Sequence, residues 1–167
     1  MSGAGNLYKG LSSSVLTLTG ANTYSGVTTI NAGKISVGTI GDGGATGNLG
    51  AANSTATNLV FDGGTLQYTG STATSNRAFT INTNYSGTVD VVTSGVSLSL
   101  AGATGTATNG ALTKVGSGIL NLTGVNTYSG ATTISAGTLA ITGSGSLGSG
   151  SYAGAIANSG AFIYSSS

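Results

Sequence analysis

Leu16-Thr17-Leu18-Thr19-Gly20-Ala21-Asn22-Thr23-Tyr24-Ser25-Gly26-Val27-Thr28-Thr29-Ile30-Asn31-Ala32-Gly33 returns as Leu120-Asn121-Leu122-Thr123-Gly124-Val125-Asn126-Thr127-Tyr128-Ser129-Gly130-Ala131-Thr132-Thr133-Ile134-Ser135-Ala136-Gly137. Composition does not produce a match of that length by chance. The interval, roughly 104 positions, exceeds one elementary repeat, so a unit of several turns is duplicated. Lys9 also pairs with Lys114 if one residue is inserted near Ser12.

Inside the unit the local period is two. Val15-Leu16-Thr17-Leu18, Lys34-Ile35-Ser36-Val37, Thr88-Val89-Asp90-Val91, Val96-Ser97-Leu98-Ser99-Leu100, Ile119-Leu120-Asn121-Leu122 and Thr138-Leu139-Ala140-Ile141 alternate apolar with polar or small residues. Alternation sends one side of each segment into a core and the other toward water. The bounding residues, such as Ala32-Gly33, Asp62-Gly63-Gly64 and Ala136-Gly137, carry turn chemistry. No helical stripe is present, and the Gly and Thr density penalises helices. The fold is therefore all-β. A sandwich or barrel would show the same strand spacing. The long duplication, the Gly/Ser/Thr/Asn tracts suited to corners and the scarcity of charge favour a parallel β-solenoid, in which like residues stack rung on rung. About 20–25 residues per rung gives roughly 6–8 rungs.

The second copy, Leu112-Thr113-Lys114-Val115-Gly116-Ser117-Gly118 and onward through Asn126-Thr127-Tyr128-Ser129-Gly130 to Gly137-Thr138-Leu139, closely resembles the passenger-associated transport repeat of autotransporters. That family's pattern runs L-T-K-x-G-x-G-x-L-x-L-x-G-x-N-T-Y-x-G-x-T-x-I-x-x-G-x-L. The first copy departs from it at Gly10 to Ser14, where Leu-Ser-Ser-Ser replaces the Gly-Ser-Gly corner. The resemblance implies a right-handed, single-stranded parallel β-helix, export to the bacterial cell surface, and a role for the repeats in passenger folding and transport. On this reading residues 1–167 are one solenoid segment of a longer array, with repeat units near 7–37 and 112–141.

Composition closes off several functions. Charged residues make up 4% of the 167, Gly numbers 31, and Pro, Cys, His and Trp are absent. Four scattered cations, Lys9, Lys34, Arg77 and Lys114, supply no nucleic-acid footprint. No run approaches the roughly 18 apolar residues that span a bilayer. Met1 to Asn6 shows neither the basic nor the apolar region of a signal peptide. Without Cys there is no disulfide framework, and no cofactor or metal motif is evident.

The candidate special positions are Asn22, Thr23, Tyr24 and Gly26 with Asn126, Thr127, Tyr128 and Gly130. A repeated loop Tyr could stack on a sugar or a partner. Repetition in register points instead to a turn. In that turn Asn and Ser bond the local backbone, Gly takes a positive φ and Tyr covers the end of the core. Glycoside hydrolysis needs two carboxylates at a set separation. Asp42 and Asp62 sit in turn contexts, and Asp90 falls at an outward strand position. Asp62, Asp90 and Arg77, if adjacent rungs brought them together, form the one trio worth weighing. Sequons at Asn53, Asn84 and Asn121 are expected by chance in such a chain, and the Thr rows hold no ice-binding register. The expectation is a non-catalytic stalk or adhesin-like passenger segment. Its alternatives are a self-assembling filament subunit and a carbohydrate-active enzyme. Partners are end-to-end copies of itself or an unidentified surface glycan or protein.

Overall fold

The computed structural model describes every residue from Met1 to Ser167. Its short alternating segments form β1 (Leu7–Lys9), β2 (Val15–Leu18), β3 (Thr28–Ile30), β4 (Lys34–Val37), β5 (Leu59–Phe61), β6 (Thr65–Tyr68), β7 (Ala73–Ala78) and β8 (Thr80–Ile81). They continue through β9 (Ser86–Val91), β10 (Ser97–Gly102), β11 (Ala111–Val115), β12 (Ile119–Leu122), β13 (Thr132–Ile134), β14 (Thr138–Gly143), β15 (Ile156–Asn158) and β16 (Ala161–Ser166). Helix is confined to two 3₁₀ turns, Ala56–Asn58 and Gly148–Gly150.

All strand pairs are parallel, and they build three sheets ordered β1-β3-β5-β8, β2-β4-β6-β9-β11-β13-β15 and β7-β10-β12-β14-β16. The chain winds from face to face, so successive turns stack in parallel, and the seven-stranded sheet collects one strand from every turn. The expected solenoid is thus present, with about seven turns read from the seven strands of its longest sheet.

Alternation becomes a core because stacked positions keep the same side. Leu16, Ile35, Leu66, Val89, Lys114 and Ile134 form one column, each paired to the next. Twenty-five buried residues make one continuous apolar cluster down the axis. Each fully buried Leu, Ile, Val or Phe contributes about 1.5–3 kcal/mol. Partners in neighbouring turns lie 19 positions apart at Val15↔Lys34 and 25 apart at Thr88↔Thr113. Lys34↔Thr65 spans 31 positions, because the chain makes an excursion over 38–58 before rejoining the stack.

The two sequence copies pair alike but sit on different faces. Leu7↔Thr28 and Lys9↔Ile30 in the first are matched by Leu112↔Thr132 and Lys114↔Ile134 in the second. Yet β1 and β3 lie in the four-stranded sheet, and β11 and β13 lie in the seven-stranded one. The added strands β7 to β10 carry the chain one face further round before the repeat restarts. Periodicity within the sequence shows the duplication and cannot reveal this rotation.

Candidate functional site

The Asn-Thr-Tyr-Ser-Gly segments lie where the chain turns into β3 and β13. Tyr24 and Tyr128 are 3% and 1% exposed, so neither ring offers a face to a ligand. Their hydroxyls pair with Thr28 Oγ1 at 2.9 Å and Thr132 Oγ1 at 2.8 Å. In the second copy a further phenol joins. Tyr152 Oη lies 2.7 Å from Thr132 Oγ1 and donates to the Gly130 carbonyl at 2.6 Å, and its ring meets Tyr128 edge-on at 5.8 Å. Burial raises the ionisation of both repeat tyrosines above the phenol range, opposed by the bond from the neighbouring threonine. Tyr128→Phe is expected to cost only about 1 kcal/mol in urea unfolding, because Thr132 keeps Tyr152 as a partner. A loss of several times that would place more weight on the hydroxyl network than its geometry carries.

Asn22 donates to the carbonyls of Thr19 (3.4 Å) and Asn48 (3.1 Å). Asn126 accepts from Ala103 N–H and donates to Gly124 and Ser146. Each thus ties its own turn to a neighbouring rung. Thr127 Oγ1 reaches Ala103 and Gly105 carbonyls, and Thr23 is exposed. Ser129 Oγ bonds Thr108, a residue of the rung before, rather than local backbone. Gly26 and Gly130 correct the expectation of a positive φ: neither adopts one. They are glycine because a Cβ would run into the backbone of the preceding rung, at Gly5 and at Asn109 and Gly110. Positive φ falls instead at the corner glycines Gly33 (67°) and Gly137 (65°).

Two strand-end lysines that periodicity left without a role prove to organise those corners. Lys9 and Lys114 both point into the stack. Lys114 Nζ donates to the carbonyls of Val115 (2.7 Å), Gly116 (2.8 Å) and Ala136 (3.4 Å). Lys9 Nζ reaches Leu11 and Ala32 carbonyls and Ser14 Oγ. The Leu-Ser-Ser-Ser departure therefore keeps the lysine's job with different acceptors. The sequence signal was the alignment of Lys9 with Lys114, a charge at an inward parity position.

The carboxylate trio does not assemble. Asp62 accepts from Asn31 (3.0 Å) and Asn82 (2.8 Å), forming a ladder along three successive turns. Asp90 has outward parity yet is buried, because Lys34 at 3.1 Å and Gln67 at 2.9 Å close over it from the strands below. Arg77 meets neither. Its guanidinium donates to the carbonyls of Gly41, Asp42, Gly50 and Ala52, which pins the 38–58 excursion to the stack. Asp42 accepts from the Asn76 N–H. No group of three or more His, Cys, Asp or Glu converges to hold a metal. One open surface depression of about 490 Å³ runs past Ser12 to Ser14 and Lys34.

Buried groups set an alkaline pH profile. Burial lowers Lys114 to about 8 from 10.5, partly opposed by Asp90. Between those values the unfolded chain holds more protons than the folded one, so stability rises with pH from about 8. Burial raises Tyr24, Tyr68, Tyr128 and Tyr152. The unfolded chain ionises these phenols first, so stability falls above about pH 10. Urea unfolding free energy is expected to climb between pH 7 and 9.5 and to drop again by pH 11. A monotonic decline from pH 8 would contradict this assignment.

Comparison with known proteins agrees with this geometry. The family model described as Passenger-associated-transport-repeat matches residues 12–37 and 112–141. Over 111 residues the chain is 46% identical to the adhesin BmaC autotransporter of Brucella suis biovar 1 (strain 1330). That match takes in 66% of this chain and spans 3% of the relative's length. No solved structure matches the chain. The chain therefore carries two passenger-associated transport repeats at the buried corners of a parallel stack, and over part of its length it is similar to an autotransporter adhesin.

Proposed function

We propose that this segment is a non-catalytic spacer and display element of a passenger held outside the bacterial cell. The observation that carries the reading is that the repeated residues are spent on bonds within their corners and between rungs. Tyr24, Tyr128, Asn22, Asn126, Lys9 and Lys114 are all buried. What the repeat preserves is thus a stack, and a stack with one continuous core is a rigid rod. Display for adhesion is in keeping with the similarity to an adhesin. The contact surface itself is left to outward residues, an unidentified glycan or protein being the partner.

The test is to place the chain between a signal peptide and a translocator barrel in an outer-membrane strain. Surface protease shaving should then release it, and whole-cell polysaccharide digestion should be unchanged. Retention in the periplasm would remove the display role. Polysaccharide cleavage lost on Asp62→Ala or Asp90→Ala would replace it with a carbohydrate-active enzyme.

A further inference from the structure

From the four corners that lead into β4, β6, β9 and β11, we infer that this edge of the solenoid binds a neutral glycan. Tyr85 is the platform for a sugar ring, and Asp62 accepts from its hydroxyls. The inference names a partner for the display reading and rests on it. All four corners belong to interior turns, each strand being paired above and below in the seven-stranded sheet.

The corners set a polar ladder beside an exposed ring. Asn31, Asp62 and Asn82 directly follow β3, β5 and β8, which are stacked in register. Asp62, half-buried, takes Asn31 Nδ2 on one oxygen and Asn82 Nδ2 on the other. A carboxylate accepts about four donors, so Asp62 keeps capacity for a ligand. Tyr85 lies against the same corner. Its N–H bonds the Asn82 carbonyl at 3.1 Å, and its ring covers Gly63, where a Cβ would meet Tyr85 Cδ1 at 3.7 Å. The residue is 47% exposed, whereas every other aromatic from Tyr24 to Tyr128 is buried.

The turn that presents the ring is held from the next rung. Asn84 adopts a left-handed φ of 67°. Asn109 accepts from Asn84 N–H at 2.6 Å and donates to its Oδ1 at 2.8 Å. Ala111 N–H bonds the Tyr85 carbonyl at 2.9 Å. A ring on so fixed a backbone loses little freedom when a ligand covers it.

The chemistry selects the ligand. The C–H face of a pyranose suits the negative face of a phenol, and carboxylate and amide groups bond its hydroxyls. Asp62 has no cationic partner, the chain's one salt bridge being Lys34 with Asp90, so an anionic sugar is repelled. A protein partner needs about 800 Å² on each side and several aromatic or arginine anchors. This edge offers one ring, and the chain's single arginine is buried.

The purified chain, which needs no export for this measurement, is applied to an array of neutral hexose and N-acetylhexosamine oligomers beside sialylated and uronate-bearing ones. Retention on neutral spots is expected. Titration of the neutral oligomer retained most should show affinity at least about tenfold lower in Tyr85→Ala and within about threefold of the parent in Tyr85→Phe, which keeps the ring. Both variants should unfold in urea at the parent's midpoint, since the side chain is exposed. Asp62→Asn should admit sialylated spots that the parent refuses, a gain that no loss of folding produces. Absence of neutral binding at millimolar concentration, equal binding by Tyr85→Ala, or a preference for acidic spots overturns the site. None of these touches the display role, which protease shaving tests by itself. Binding to cultured cells that survives periodate treatment of their glycans assigns the edge to a protein and overturns the site as well.

Discussion

Arg77→Ala is expected to lower the unfolding free energy by about 4 kcal/mol, read from urea denaturation followed by far-ultraviolet circular dichroism. Arg77 is 3% exposed and forms no salt bridge. Its bonds go to four backbone carbonyls, at 3.2 Å to Gly41, 3.2 Å to Asp42, 2.7 Å to Gly50 and 3.3 Å to Ala52. Removing it strands acceptors that the excursion buries, each costing about 1–3 kcal/mol when unsatisfied. The sum is held below the maximum because part of that loop can open to water. Burial lowers the ionisation of Arg77, with Tyr24 and Asp42 opposing, but no accessible pH deprotonates it. Arg77→Lys should recover little, since one ammonium cannot span a fork of carbonyls set by three nitrogens. Protease nicking between Gly38 and Ala56 should appear in both variants before global unfolding. A loss under about 1 kcal/mol with no local nicking would show that the excursion holds itself.

How much of this the residues announced depends on what kind of order is asked for. Period-two alternation in Val15 to Leu18 or Ile119 to Leu122 is a local signal, and each segment became the expected strand. The duplication around Asn22 to Gly26 fixed a stacked architecture, because two identical corners must meet similar neighbours. Contacts between turns were not legible. Arg77 looked like a partner for Asp62 and Asp90 because only opposite charge was visible, and the carbonyls that hold it belong to a loop without side-chain character. Asp90 has outward parity and is covered all the same, since Lys34 and Gln67 from two lower turns reach across it. Gly26 and Gly130 were assigned to turn conformation when close approach of the preceding rung selects them. The seat of each copy is equally hidden: β7 to β10 advance the chain by one face, and no residue type records that count.

Lys114→Ala is expected to cost about 4 kcal/mol and Lys114→Met about 2 kcal/mol. Lys114 is fully buried in a column between Val89 and Ile134, whose lower turns hold Leu16, Ile35 and Leu66. A hydrophobic residue there avoids the cost of burying a charge, the same burial that lowers Lys114 to about 8. The corner explains the lysine. Carbonyls of Val115, Gly116 and Ala136 converge where the chain turns from β11 to β12 and from β13 to β14. An ammonium with three donors satisfies all three and joins two successive corners. Met fills the stem volume and forfeits those bonds, and Ala forfeits both, so the difference between the variants separates packing from corner bonding. Lys9→Ala should cost less, roughly half, because Lys9 keeps a little solvent exposure and bonds two carbonyls and a hydroxyl where Lys114 bonds three carbonyls. Both Lys114 variants should also abolish the gain in stability between pH 8 and 9.5, leaving only the phenolic decline. If Lys114→Met matched or exceeded the parent in stability at pH 7, the corner carbonyls would be meeting water, and the lysine would be a tolerated charge and not the clasp between rungs.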